Sequence, residues 1–282
     1  MGMKQIYNFT FSDIKREVYR LKCKGSKTNF FMSEMQFNTL LFENKVRAFT
    51  RDHACCLLVE DNGFTRFFFI VSHVEEIKCF LTRLVNQVDG EVVTEIVGDS
   101  NYLLSIRSVF LTNGFYEYSS MVRMSKIRTE LSELSFDYIF PLKSDKKTEL
   151  QVLYNNYFDK FVERIPTSDE IDHFIINNNV YYFSDSGEIQ GFIIFEQQGS
   201  TMHLRYWFVH PQYRGKGVGS KLMNVFLSHG NNVRRELFWV IESNVDAIKK
   251  YKHYGFAQED MRNLILINKE IKYEEPDYSN FK

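Results

Sequence analysis

Four cysteines and four prolines in 282 residues exclude some classes of protein at once. Cys23, Cys55, Cys56 and Cys79 all fall in the first third and form no CxxC pair. Adjacent Cys55 and Cys56 on one strand would point to opposite faces. Neither a disulfide scaffold nor a cysteine metal site fits, and free thiols in a reducing cytoplasm are expected. No HExxH or similar ligand spacing occurs, so no metal is expected. An excess of charge is missing too: 35 basic side chains stand against 36 acidic ones, a net of -1. Such a chain has no general field to gather nucleic acid. Apolar runs such as FFFIV from Phe67 are far too short to cross a bilayer. The opening MGMKQIYNFTFSDIKREVYRL is too charged for a secretory leader. A soluble cytoplasmic protein is expected, with no membrane or nucleic-acid partner. Its abundance is aromatic, with 27 Phe and 16 Tyr.

The length suits one large domain or two ordinary ones. Residues 55–72, CCLLVEDNGFTRFFFIVS, read as a β-hairpin turning at Asp61, Asn62 and Gly63. A helical pattern (EEIKCFLTRLVNQV), a strand (EVVTEIV), a helix ending LTNGF and a strand (YEYSSMVRM) follow. Residues 124–135 have no clear strand period and read as a link. Then DYIFPLK is a strand and residues 146–165 one long amphipathic helix. Another helix opens at TSDEIDHFI, with Thr167 or Ser168 as N-cap. Three strands turn at Ser186-Gly187 and Gly199-Ser200; helix, strand, helix ending HYGF and a final strand complete the chain. Both halves thus run hairpin, helix, strand, helix, Gly-Phe, strand. The reading is an α/β (α+β) tandem duplication, with one domain at 1–130 and another at 136–282. Each would be a mixed, mostly antiparallel sheet flanked by helices.

The densest signal is HPQYRGKGVGSKLM, residues 210–223, between a strand and a helix. Glycines at 215, 217 and 219 let backbone amides approach an anionic diphosphate with no Cβ in the way. The unpaired amides of the helix start add to them, and Arg214, Lys216 and Lys221 supply positive charge. Two familiar phosphate loops fail on spacing. A Walker A loop needs Gly-Lys-Ser/Thr after a four-residue gap, and the dinucleotide GxGxxG would need glycine where Leu222 stands.

Arg214, Gly217 and Gly219 do fit Arg/Gln-x-x-Gly-x-Gly/Ala, preceded by Val209-His210-Pro211. With Asn244, Tyr251 and Gly255-Phe256 following in order, residues 136–270 resemble the GNAT family of N-acetyltransferases. That resemblance implies a splayed sheet holding acetyl-CoA as cosubstrate. The pyrophosphate would sit on the amides of Arg214, Gly215, Lys216, Gly217, Val218, Gly219 and Ser220. The pantetheine arm would run beside the strand ending at Val209, whose N–H would polarise the thioester carbonyl. Asn244 would bond the pantetheine or its surroundings. Tyr251 occupies the family position of the acid that protonates the leaving thiolate. Tyr254 is read as core.

Several family members carry a glutamate base six residues before the Val; here His203 stands there, and an imidazole could serve. Simple alternation would put His203, Arg205, Trp207 and Val209 on one face of the strand. His210 and His253 read as surface residues. The amino-terminal half resembles a degenerate copy without a cofactor loop: Gly114-Phe115 align with Gly255-Phe256, Phe110 with Tyr251, and Leu103 with Asn244. No glycine lies between Gly63 and Gly90. The expected reaction is acetyl transfer to a primary amine of a small molecule or peptide. A non-catalytic CoA-binding sensor and an aminoacyl transferase of tandem architecture are the alternatives.

Overall fold

The computed structural model describes residues 2–22, 27–128, 137–230, 232–271 and 273. Cys23 and residues 129–135 of the expected link lie outside the described residues. The chain forms two compact units. One comprises Met1–Met121 with Asp260–Tyr273, and the other is built on Val122–Glu259.

The elements of the first half are β1 (Lys4–Ile6), α1 (Phe11–Lys22), β2 (Lys27–Thr28), α2 (Glu34–Phe42), β3 (Val46–Arg51), β4 (Ala54–Asp61) and β5 (Phe64–Val71). Then come α3 (Glu75–Arg83), β6 (Val92–Gly98), α4 (Ser100–Leu111) and β7 (Tyr116–Ile127). The second half follows with β8 (Ile139–Pro141), α5 (Lys147–Tyr157), α6 (Ser168–Ile176), β9 (Val180–Phe183), β10 (Gly191–Gln198) and β11 (Thr201–Val209). It ends with α7 (Val218–Ser228), β12 (Arg235–Ile241), α8 (Val245–His253) and β13 (Ala257–Ile267).

In the first unit the strand order is β1-β3-β4-β5-β6-β13, with β2 also on β5. The β4–β5 hairpin turns on Asn62 and Gly63 at φ 46° and 84°, the left-handed pair that a two-residue turn requires. Cys55, Leu57, Phe68 and Ile70 pack on Ile14, Leu21 and Phe37 of α1 and α2. Cys56, Leu58, Phe67 and Phe69 pack on Ile77, Phe80, Ile106 and Phe110 of α3 and α4. Helices on both faces explain why these strands are apolar without alternation. Cys55 and Cys56 are buried free thiols on opposite faces.

In the second unit the order is β7-β12-β11-β10-β9-β8. One face buries Met202, Leu204, Phe238 and Val240 against α7 and α8, the other Phe192, Ile194 and Phe208 against α5 and α6. Helix α7 approaches so closely that a Cβ at Gly191 would lie 3.0 Å from Val218. Thr167 caps α6 in a reciprocal box with Glu170.

A single cut near residue 130 does not describe these units. Strand β7 runs through the expected link to Ile127, and its Val122 and Met124 are buried in the core of the second unit. Conversely, β13 pairs antiparallel with β6, Leu264 opposite Ile96, and buries Leu264 and Leu266 in the first unit. Arg66 joins Asp61 and Glu95, and Glu95 accepts from Asn263 of β13 at 2.9 Å. The expected helix 146–165 also ends early. At Phe158 the backbone turns extended, and the Asp159 carboxylate accepts from the N–H groups of Phe161 (2.8 Å) and Val162 (3.1 Å). A short side chain offering the backbone such bonds competes with the helix.

Candidate active site

Strands β11 and β12 are parallel and paired only at their beginnings: Thr201–Arg235, Met202–Glu236 and His203–Leu237. Both continue, to Val209 and Ile241, without a further pair. A wedge therefore opens between them. On its other side β11 stays bonded to β10 up to Gly191–Val209. Between Ile194–Tyr206 and Phe195–Leu204 the register shifts, leaving Arg205 as an extra residue in β11. Such a bulge reverses which side chains face which way. Met202 and Leu204 face α7 and α8 before it; Trp207 and Val209 do so after it. His203 thus lies on the face opposite Trp207 and Val209, correcting simple alternation.

The same register orients the backbone. The His210 N–H donates to Gln190 of the chain entering β10, so the Val209 N–H, one residue back, points into the wedge. The Arg214 Nε–H donates to the Val209 carbonyl at 3.3 Å. His210 is half-buried, not a surface residue: its Nε2 lies 2.9 Å from the Tyr157 hydroxyl. Exposed His253 matches expectation.

At the mouth of the wedge, Gly215 and Gly217 adopt φ 77° and 82°, and a Cβ at either would meet nothing within 4 Å. Gly217 is the N-cap of α7, with no side-chain cap and no acidic residue in the first turn. The N–H groups of Val218, Gly219 and Ser220 thus face outward at the positive pole of the helix. Arg214 and Lys216 are exposed beside them. Lys221 lies elsewhere, over the rings of Tyr138 (5.3 Å) and Phe183 (5.0 Å). Beneath, a Cβ at Gly219 would come within 3.1 Å of Trp207, whose Nε1–H is buried with no hydrogen-bond partner among the described residues. Open glycine amides, an uncapped helix start and an orphaned donor fit an anionic, extended cosubstrate such as acetyl-CoA.

Tyr251 of α8 is buried between Trp207 (5.4 Å) and Phe238 (4.3 Å). Burial, and then the charge of Glu163, raise its phenol well above the usual range, so it keeps its proton. Tyr254 packs against the same core. Asn244 caps α8, its Oδ1 accepting from the Ala247 N–H at 3.1 Å. His203 is held below its usual range by burial and then by Arg205, Arg235 and Arg123.

Glu163 was not visible as a candidate while residues 146–165 read as helix. Burial pushes its carboxyl up to about 7. A carboxyl perturbed by desolvation in a cleft marks a candidate functional residue. The Asp159 turn that frees it from the helix was the signal available in the sequence.

The first unit repeats this geometry and closes it. Strands β5 and β6 pair in parallel only at Thr65–Val92 and Arg66–Val93. There the chain's own β2 lies along β5, Thr28 opposite Ile70. The Asn29 side chain donates to Phe67 O (3.1 Å) and Thr94 Oγ1 (2.9 Å) and accepts from Phe69 N–H (2.7 Å). Helix α3 begins with Glu75 and Glu76, which neutralise its positive pole. The Phe115 N–H donates to Phe110 O as the Phe256 N–H does to Tyr251 O, so Phe110 and Tyr251 are equivalent. Helix α4 is a turn longer than α8, however, and its cap is Asp99, not Leu103.

Residues 148–256 match the model of the acetyltransferase (GNAT) family. A spermine/spermidine N(1)-acetyltransferase of Bacillus subtilis is 26% identical over 95 residues, 30% of this chain and 60% of the relative. The chain thus spans little more than half the length of that relative. Fold similarity extends further. A GCN5-related N-acetyltransferase from Sphaerobacter thermophilus matches with TM-score 0.61 at 11% identity, covering 94% of this chain and 95% of its own. A tandem GNAT protein from the clavulanic acid biosynthesis pathway matches with TM-score 0.58 at 9% identity, over 94% and 98%. Among the described residues no helix is long and apolar enough to cross a membrane, and no group of three or more His, Cys, Asp or Glu side chains could hold a metal ion.

Proposed function

We propose that the chain is an acetyl-CoA-dependent N-acetyltransferase whose chemistry resides in the second unit. The observation that carries this reading is the wedge between β11 and β12, with the Val209 N–H turned into it and the uncapped α7 at its mouth. The diphosphate would lie on the amides of residues 214–220, the pantetheine along the free edge of β11. The Val209 N–H would stabilise the oxyanion that develops on the thioester carbonyl. Tyr251, kept protonated by its burial, would give its proton to the departing thiolate. With its Oδ1 engaged in capping α8, the Asn244 side chain would bond the pantetheine or its surroundings through its NH2 group.

The acceptor is a primary amine of a small molecule or peptide. The Bacillus subtilis relative is named for spermine and spermidine, which makes spermidine the first amine to try. His203 and Glu163 are the two groups that could take the amine proton. The first unit would hold no CoA, since its wedge is filled by β2 and Asn29. Calorimetry on the full chain should give one CoA per chain. Gly217→Glu, which sets a carboxylate among the phosphate-binding amides, should abolish binding while leaving the protein folded. Undiminished CoA affinity in that variant, or two equivalent CoA per chain, would refute the reading.

A further inference from the structure

We propose that Glu163, within the acetyltransferase reading above, is the general base that takes the proton of the acceptor amine, facing Tyr251 through the gap between β11 and β12. Glu163 lies on the segment joining α5 to α6, and this segment is fixed at both sides of it. The Tyr206 hydroxyl donates to Arg164 O, and the Glu163 N–H donates to Asp159 O at 2.8 Å. The carboxylate accepts from the Asp159 N–H at 3.2 Å. Side chains of this segment and of α5 belong to the core face of Tyr154, Phe192 and Phe208, with Tyr206 packed on it. Tyr251 belongs to the opposite face, with Phe238 and Val240. A closed sheet would part the two groups. Yet the Glu163 charge acts on the Tyr251 phenol. The Tyr206–Arg164 bond sets the Glu163 segment against β11 where that strand has parted from β12, beyond His203–Leu237.

The titratable groups that interact electrostatically with Glu163 are Tyr154 from α5, Asp159 from its own segment, Tyr206 from β11 and Tyr251 from α8. The Tyr154 hydroxyl is buried with no hydrogen-bond partner among the described residues. This desolvated floor raises the carboxyl to about 7, with the charge of Asp159 adding to the effect of burial. A base whose pKa lies near the working pH is both ionised and able to hold a proton. His203 is shifted the opposite way. Burial and then Arg205, Arg235 and Arg123 hold its imidazole below the usual range, although these arginines pair with Glu196 and Glu259, which makes it the weaker proton acceptor.

The step balances without a further reactant. An arriving ammonium first gives one proton through Glu163 to solvent. The amine lone pair then forms the C–N bond to the thioester carbonyl carbon as the restored Glu163 carboxylate takes an N–H proton. The tetrahedral oxyanion collapses, the C–S bond breaks, and the thiolate takes the phenolic proton of Tyr251. The proton on Glu163 returns to the Tyr251 phenolate across the gap, leaving an amide, free thiol and both residues as they began.

The test measures thiol release from acetyl-CoA with spermidine, an Nα-blocked lysine and tryptamine across pH. Wild-type kcat/KM should fall below about pH 7, and Glu163→Gln should lose that limb and about 10²- to 10⁴-fold in kcat. Its CoA affinity by calorimetry should be unchanged, and Glu163→Asp should restore the limb at reduced rate. His203→Gln should keep the limb. A limb that survives in Glu163→Gln, or that vanishes with His203, overturns Glu163 as the base and leaves the acetyltransferase reading standing. A wild-type protein that binds no CoA, or releases no thiol with any of the three amines, overturns that reading and the base with it.

Discussion

Replacing Glu163 by Gln should make the protein more stable at alkaline pH, by an amount the structure lets one work out. The folded carboxyl titrates at about 7 against an ordinary 4.5. Each tenfold change in proton affinity is about 1.4 kcal/mol, so holding the group ionised costs the folded state about 3 kcal/mol. The sign follows from the raised value. The stability associated with the protonated form is fully present below about pH 4.5 and is lost as pH rises through about 7. Glutamine copies the shape of the protonated acid and never ionises. The stability gap between Glu163→Gln and wild type should therefore widen by about 2 to 3 kcal/mol between about pH 5 and about pH 8. Urea unfolding followed by tryptophan fluorescence reads the relevant unit, because Trp207 and Trp239, the only two tryptophans, lie on β11 and β12. A gap that stays constant across this range would show that Glu163 is solvated in the folded protein, and the reasoning about its burial would fall.

Tyr251→Phe keeps the ring between Trp207 and Phe238 and removes only the proton, so kcat should fall about 10²- to 10⁴-fold with CoA affinity intact; an unchanged kcat retires Tyr251 as the acid. A chain ended after Glu259 should lose the first unit, because Leu264, Ile265, Leu266 and Ile267 are all buried. Each such side chain contributes about 1.5 to 3 kcal/mol, together comparable with the whole stability of a domain. Hydrogen exchange should then show β5 and β6 unprotected, and native protection there would refute the assignment of β13 to that unit.

Local chemistry was legible in the sequence. The Asn62-Gly63 turn, the Thr167 cap and the glycines before α7 each need particular residues at particular backbone positions, and a few neighbours suffice to recognise them. What escaped reading depends on partners distant along the chain. The extra residue at Arg205 carries no glycine or proline to mark it, yet it turns His203 away from Val209. The apolar spacing of Phe158, Phe161 and Val162 imitates a helix, and only the competing bonds of Asp159 break it. Asn29 gains its meaning from Phe67, Phe69 and Thr94, which no pattern near residue 29 announces. The destination of β7 and β13 is a matter of which sheet has an edge to complete.

A chain made from one end completes its two units at different times. The first 121 residues leave the ribosome with β6 still lacking β13, its Val93 and Ile96 along an open edge. At common rates of synthesis, on the order of ten seconds pass before residue 260 is added. Through that interval the nascent unit presents a free strand edge, the kind of surface that pairs with neighbouring chains. The second unit, whose Val122 and Met124 precede its other residues, meets no such delay before its own strands are made. Vectorial synthesis thus makes the earlier-made half the later one to be sealed, and chaperone dependence should concentrate there.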